Sequence, residues 1–99
     1  MKKLTGKQKA YLRGLAHSLS PVVHIGKNGL SKTVIAQLED ALERHELIKV
    51  KFIDWKDEKK ELSEKIEKRL NCEIVGSIGH VYIFFRENTA KEQGKIVVK

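Results

Sequence analysis

The chain has a single cysteine, a single proline and no apolar run longer than the five residues Val81–Phe85. With no partner, Cys72 cannot close an internal disulfide, which fits a reducing compartment and makes a cytoplasmic location the expectation. No stretch approaches the ~20 apolar residues that a membrane-spanning helix needs, so no membrane partner is expected. No basic-then-apolar leader opens the chain, so no secretory signal is expected. His17, His24, His45 and His80 are far apart in sequence with no paired-ligand spacing, which argues against a metal or other cofactor. The serines sit in no recognisable nucleophile motif, and the carboxylates crowd helical stretches beside lysines. Neither catalysis nor a small-molecule substrate is expected from this pattern. One more absence is local: no Asp or Glu precedes Glu39.

The cationic side chains fill that gap. The formal net charge is +7, and residues 1–38 alone carry seven Lys or Arg with no acid. The remaining 61 residues balance, with thirteen basic and thirteen acidic side chains. A block of one sign on part of a small domain is the electrostatic footprint of a polyanion site. A basic surface serving solubility alone would not require acids to be missing from over a third of the chain.

At 99 residues the chain fits one domain. Thr5 with Gln8 reads as a capping box, followed by Leu12, Leu15, Ala16 and Leu19 on one helical stripe that Ser20-Pro21 ends. Pro21–Ile25 reads as a first strand and Gly26–Gly29 as a tight loop. Ser31 caps a second helix, with Leu30 stapled to Ile35 and Val34, Leu38, Ala41 and Leu42 facing inward as far as His45. Leu47–Phe52 alternates, with Ile48, Val50 and Phe52 buried and Lys49 and Lys51 wet. A third helix runs from about Asp57 to Leu70, its outer face laced with charges of both signs. Cys72–Ile78 and Val81–Phe85 form a hairpin across Gly79-His80. The order is αβαβαββ. The expected class is α+β, an α/β two-layer arrangement of a mixed four-stranded sheet with three helices, over residues 1–87. Residues 88–99 form a tail, in which Ile96–Val98 is either an edge strand or disordered.

The chemistry centres on the strand–Gly26-Lys27-Asn28-Gly29–helix passage. Two glycines permit φ > 0 and close backbone approach to a ligand, and the helix start favours an anion. Lys27 stands at the tip and Lys32 in the first helical turn, where a cation is better placed with a phosphate nearby. A GxxG loop in this setting can clamp a nucleic-acid backbone. In the first helix Lys9, Arg13 and His17 stack at i, i+4 spacing, bordering the same groove, with Lys2, Lys3 and Lys7 extending the patch. Trp55 could stack a base but reads better as a cap on the core edge, and Tyr82 and Phe84 read as core, since no RNP1-like pattern accompanies them.

Leu4–Lys9, Arg13–His17, Pro21–Leu30, His45–Lys51 and Ile78–Ile83 with Arg86 resemble the YhbY family of stand-alone CRM (chloroplast RNA splicing and ribosome maturation) domains. The resemblance spans about residues 4–87. It implies an RNA-binding domain similar in fold to the C-terminal domain of translation initiation factor three. It also implies ribosomal RNA in large-subunit precursors as the partner, ribosome assembly as the role, and Gly26–Gly29 as the RNA contact. A monomer acting without catalysis is expected. From the residues alone a DNA-binding or protein-interaction module that meets another polyanion stays open, because nothing in them senses a 2′-hydroxyl.

Overall fold

The computed structural model describes residues 3–88 and 96–98. Its elements are α1 (Gly6–Ala16), β1 (Val23–Ile25), α2 (Lys32–His45), β2 (Leu47–Phe52), a 3₁₀ turn (Lys56–Glu58), α3 (Lys59–Leu70), β3 (Glu73–Ile78) and β4 (Val81–Phe85). The sheet order is β1-β2-β4-β3, with β1 parallel to β2 and the other two pairs antiparallel.

Local chemistry sets the boundaries. The Thr5 side chain accepts from the Gln8 amide and the Gln8 side chain from the Thr5 amide, closing the capping box. Ser31 Oγ accepts from the Val34 amide at the start of α2. Leu30 and Ile35, flanking that cap, both pack on the core. Asn71 ends α3 in the left-handed conformation, and Gly79 turns the β3–β4 hairpin at φ +59. α1 is shorter than its apolar stripe, ending at Ala16, and Leu15 and Leu19 stay 39% and 40% exposed. Lys49, on the wet side of β2, donates to the Leu19 carbonyl at 2.9 Å and so fastens the segment that follows α1.

The sheet is covered on both faces, giving three layers where the sequence suggested two. Tyr82 and Phe84 of β4 join Ile48, Val50 and Phe52 of β2 against Leu38, Leu42 and Ile66 of α2 and α3. Ile83 and Phe85 point the other way, to Leu12 and Ala16 of α1 with Leu47 and Val75. This is why β4 is apolar at every position. Ile96 and Val98 add no strand; they pack beside Leu4 on the α1 face.

Two carboxylates are buried at one end of the sheet. Glu73 accepts from the Leu4 amide with both oxygens, at 3.0 and 3.1 Å, and pairs with Lys9 at 3.5 Å. Glu46, fully buried at φ +61, accepts from the amides of Asn88 and Ile96, each at 2.7 Å. Arg86 beside it binds Glu39, Glu43 at 3.2 Å and the Leu70 carbonyl at 3.0 Å. Glu39 and Glu43, each about half exposed on α2, therefore tie that helix to the end of β4. Burial and the charge of Glu67 push the Cys72 thiol up to about 12, against the opposing pull of Arg86. A thiol so protected is a small core residue, slow to react.

Candidate nucleic-acid interface

β1, β2 and β3 all end at the opposite edge of the sheet, where Ile25 lies level with Phe52 and Ile78 with Val81. Three turns crowd there: Gly26–Gly29, the passage from Ile53 through the 3₁₀ turn, and the Gly79-His80 hairpin. Backbone bonds stitch them together. Ile53 and Asp54 donate to the Ile25 carbonyl at 2.9 and 3.2 Å, and Phe52 donates to the His80 carbonyl at 2.8 Å.

Within the first turn the Gly29 amide donates to the Gly26 carbonyl at 3.0 Å, leaving Lys27 and Asn28 exposed at the tip. The two glycines do different things. Gly29 is at φ +60, and a Cβ there would meet the Trp55 indole nitrogen at 3.3 Å. Gly26 has no positive φ, and the nearest atom to an added Cβ is a carboxylate oxygen of Asp54 at 4.0 Å. Only the second glycine is demanded by backbone and space together.

Trp55, read from sequence as a cap on the core edge with base stacking as the other reading, takes a different place. It is not a core cap but the underside of the loop: Nε1 donates to the Lys27 carbonyl at 3.1 Å. Its own backbone is left-handed, at φ 59 and ψ 35, and the residue is 45% exposed. The adjacent Asp54-Trp55 could have flagged a turn, but nothing local foretells a bond to a residue 28 positions earlier.

An open groove of about 410 Å³ runs from the loop along α2, lined by His24, Gly26–Gly29, Ser31, Thr33, Val34 and Gln37. Thr33 and Gln37 are one helical turn apart, which places both on one face, and neither was singled out by sequence. Because the first α2 hydrogen bond runs from Ile35 to Ser31 and Ser31 Oγ serves Val34, the amides of Lys32 and Thr33 have no partner within the helix. Lys32 is exposed above them. An anion in the groove would meet loop amides, the helix dipole and two lysines.

The basic block does not form one patch. α1 lies across the other face of the sheet against β2 and β3, and no α1 residue lines the loop groove. Lys9 is held by Glu73, and Arg13 donates to the Val75 carbonyl at 2.8 Å with its stem where a Gly76 side chain would be. These two were expected to border the groove of the loop; instead they hold α1 to β3, Arg13 while still exposed. Lys3 and Lys7 are exposed at the start of α1, remote from the loop, and Lys2 lies outside the described residues. Further cations at this end of the sheet come from outside the acid-free block: Lys51 is the last residue but one of β2, Lys56 opens the 3₁₀ turn and Lys59 follows it, with Asp54 and Asp57 among them. Lys59 donates to the Gly79 carbonyl at 2.8 Å and stands 3.1 Å from His80 Nδ1. Partial loss of water and the charges of Lys59, Lys56 and Lys51 lower the His80 pKa below its ordinary value. A neutral His80 protonated at Nε2 accepts a hydrogen bond from the Lys59 ammonium at Nδ1.

Among the described residues no group of His, Cys, Asp or Glu is arranged to hold a metal ion, and no helix is long and apolar enough to cross a membrane.

Known proteins share this architecture. A Haemophilus influenzae protein named as an RNA-binding protein is 43% identical over 97 residues, covering 97% of this chain and 95% of its own. A Bacillus subtilis protein, named as the probable RNA-binding protein YqeI, is 36% identical over 91 residues, 91% of this chain and 95% of its own. The solution structure of a Staphylococcus aureus protein, described as an RNA-binding candidate, superimposes with a TM-score of 0.82 at 43% identity, covering 98% of this chain and 100% of that one. Residues 4–86 match the CRS1 / YhbY (CRM) domain family across both faces of the sheet and the loop edge, and the chain belongs to that family.

Proposed function

We propose that the protein binds RNA without catalysis, anchoring a backbone phosphate on Gly26–Gly29 and the first turn of α2. The observation that carries this is the exposed Lys27-Asn28 tip held rigid over Trp55, next to helix amides without an intrahelical partner. Family membership and the names of its relatives support RNA as the polyanion. Lys32 supplies the second charge. Lys3 and Lys7 are available for a separate contact with a long RNA, since both are exposed on the far side. Lys9 and Arg13 contribute by holding α1 in place.

In this reading the protein is a cytoplasmic monomer that associates with precursors of the large ribosomal subunit during assembly. The family resemblance supports that role. Crosslinking in cells, followed by sequencing of the attached RNA, tests it. Reads concentrated in large-subunit ribosomal RNA and its precursors are expected. Reads spread over messenger RNA, or crosslinks to DNA, overturn it.

A further inference from the structure

Trp55 is the largest side chain that neither core cluster uses. At 45% exposure it leaves in water much of the apolar area that a buried indole removes, and its neighbour Ile53 is equally exposed at 45%. Its backbone is in the left-handed region, which strains any side chain branching from Cβ or larger and is held without penalty by glycine. A residue kept both wet and strained is being held for something other than packing.

Its orientation is fixed on two sides. The indole nitrogen is bonded to the Lys27 carbonyl, and Gly29 sits so close that a Cβ there would come within 3.3 to 3.8 Å of three atoms of the five-membered ring. The ring is therefore immobilised before any ligand arrives, so stacking on it costs little further ordering. The bond to the Lys27 carbonyl places this half-exposed ring beside the loop tip.

We propose that Trp55 is a stacking platform for an unpaired RNA base, with the phosphate of that strand held by the adjoining Lys27–Gly29 turn. This rests on the RNA-binding reading and adds a base-dependent component to a site otherwise built for phosphate. The ligand class is single-stranded RNA with a splayed base, purines stacking better than pyrimidines. Bases on aromatic rings are the usual device for reading such strands without sequence preference.

The chain has one tryptophan, so its emission reports Trp55 directly. The parent protein is titrated with oligoadenylate and with inorganic polyphosphate, which has charge but no base. Oligoadenylate is expected to quench the emission at saturation, whereas bound polyphosphate leaves it nearly unchanged. Two variants separate stacking from bracing. Trp55→Phe keeps an aromatic face and loses the N–H; Trp55→Leu loses both. Stacking predicts that the Phe variant holds oligoadenylate within about threefold of the parent, while the Leu variant weakens about five- to a hundredfold. Both variants lose the Nε1 bond to the Lys27 carbonyl, so any fall in polyphosphate affinity is the same in the two, and stacking is read from the gap between them for oligoadenylate. If the two variants weaken equally, for polyphosphate as well, Trp55 is only a brace and the proposal fails. Saturation by oligoadenylate without quenching also overturns it while leaving RNA binding intact. A parent that retains neither polyanion overturns the RNA reading and this one with it. Should the Leu variant melt below the assay temperature, parent quenching and the Phe variant still decide the matter.

Discussion

At the end of the sheet where Leu47, Phe85 and Glu73 lie level, charge is buried and matched: Glu46 to two amides, Glu73 to Leu4 and Lys9, Arg86 to two glutamates and a carbonyl. At the other end Lys27 and Lys32 are exposed with no ion-pair partner among the described residues. The fold thus separates charge that holds elements together from charge that meets a ligand. Removing a partner from a buried pair leaves an unsatisfied group, whereas removing an exposed cation changes only the field outside. Residues of one type therefore have opposite consequences when mutated, and sequence proximity does not sort them. Lys9 and Lys27 belong to the same acid-free block but to different ends of the molecule.

The sharpest way to break this contrast is to reverse the loop. Lys27→Asp with Asn28→Asp keeps Gly29 and puts two acids near a helix start, where they do not destabilise it. RNA affinity should fall on the order of a hundredfold, with the melting temperature unchanged, as read by anisotropy and circular dichroism. Unchanged affinity would remove the loop from the site.

The complementary test is on α1. Lys9→Glu with Arg13→Glu places a carboxylate against buried Glu73 and leaves the Val75 carbonyl without its donor. A loss of about 2–3 kcal/mol in urea unfolding is expected, with oligonucleotide affinity of the folded fraction little changed. A stable variant that has lost RNA would show that the matched end also binds.

Cys72 extends the contrast to pH. Its thiol ionises near 9.0 when unfolded and near 12 when folded, so the unfolded chain releases its proton first. That stability is intact below pH 9 and declines as the pH rises through the interval, by about 2 kcal/mol at pH 10.5. Urea midpoints should fall more steeply over this range in the parent than in Cys72→Ala.

The smallest effect is at His80. Its imidazole should titrate below 6.5 by NMR, and Lys59→Met should move the midpoint back up. The depressed value means that the neutral ring and its Lys59 contact persist above the midpoint and are lost as the pH falls through it. Bound RNA, by cancelling the lysine field, should raise the midpoint as well.

Elements governed by neighbours in sequence were legible. Thr5 and Gln8, Ser31, the β2 alternation and the Gly79 hairpin depend on residues within four positions, and each is found as read. The exposed loop tip was legible for the same reason. The face on which α1 packs was not, because Lys9 and Arg13 show the same spacing whether they look at water or at β3. The buried roles of Glu46 and Glu73 had no local signal, since their partners are amides more than 40 positions away. Trp55 needed the approach of Gly29, which only the folded chain supplies.

The contact of Leu4 with Ile96 and Val98 has a consequence for engineering. Lys3, Leu4, Ile96 and Val98 line one shallow groove, so the two ends of the described fold lie side by side. A short linker could join them into a ring, and new ends could be opened in the exposed Gly79-His80 turn. Such a circular permutant would keep both buried carboxylates supplied with their amides while reversing which half of the sheet emerges first from the ribosome.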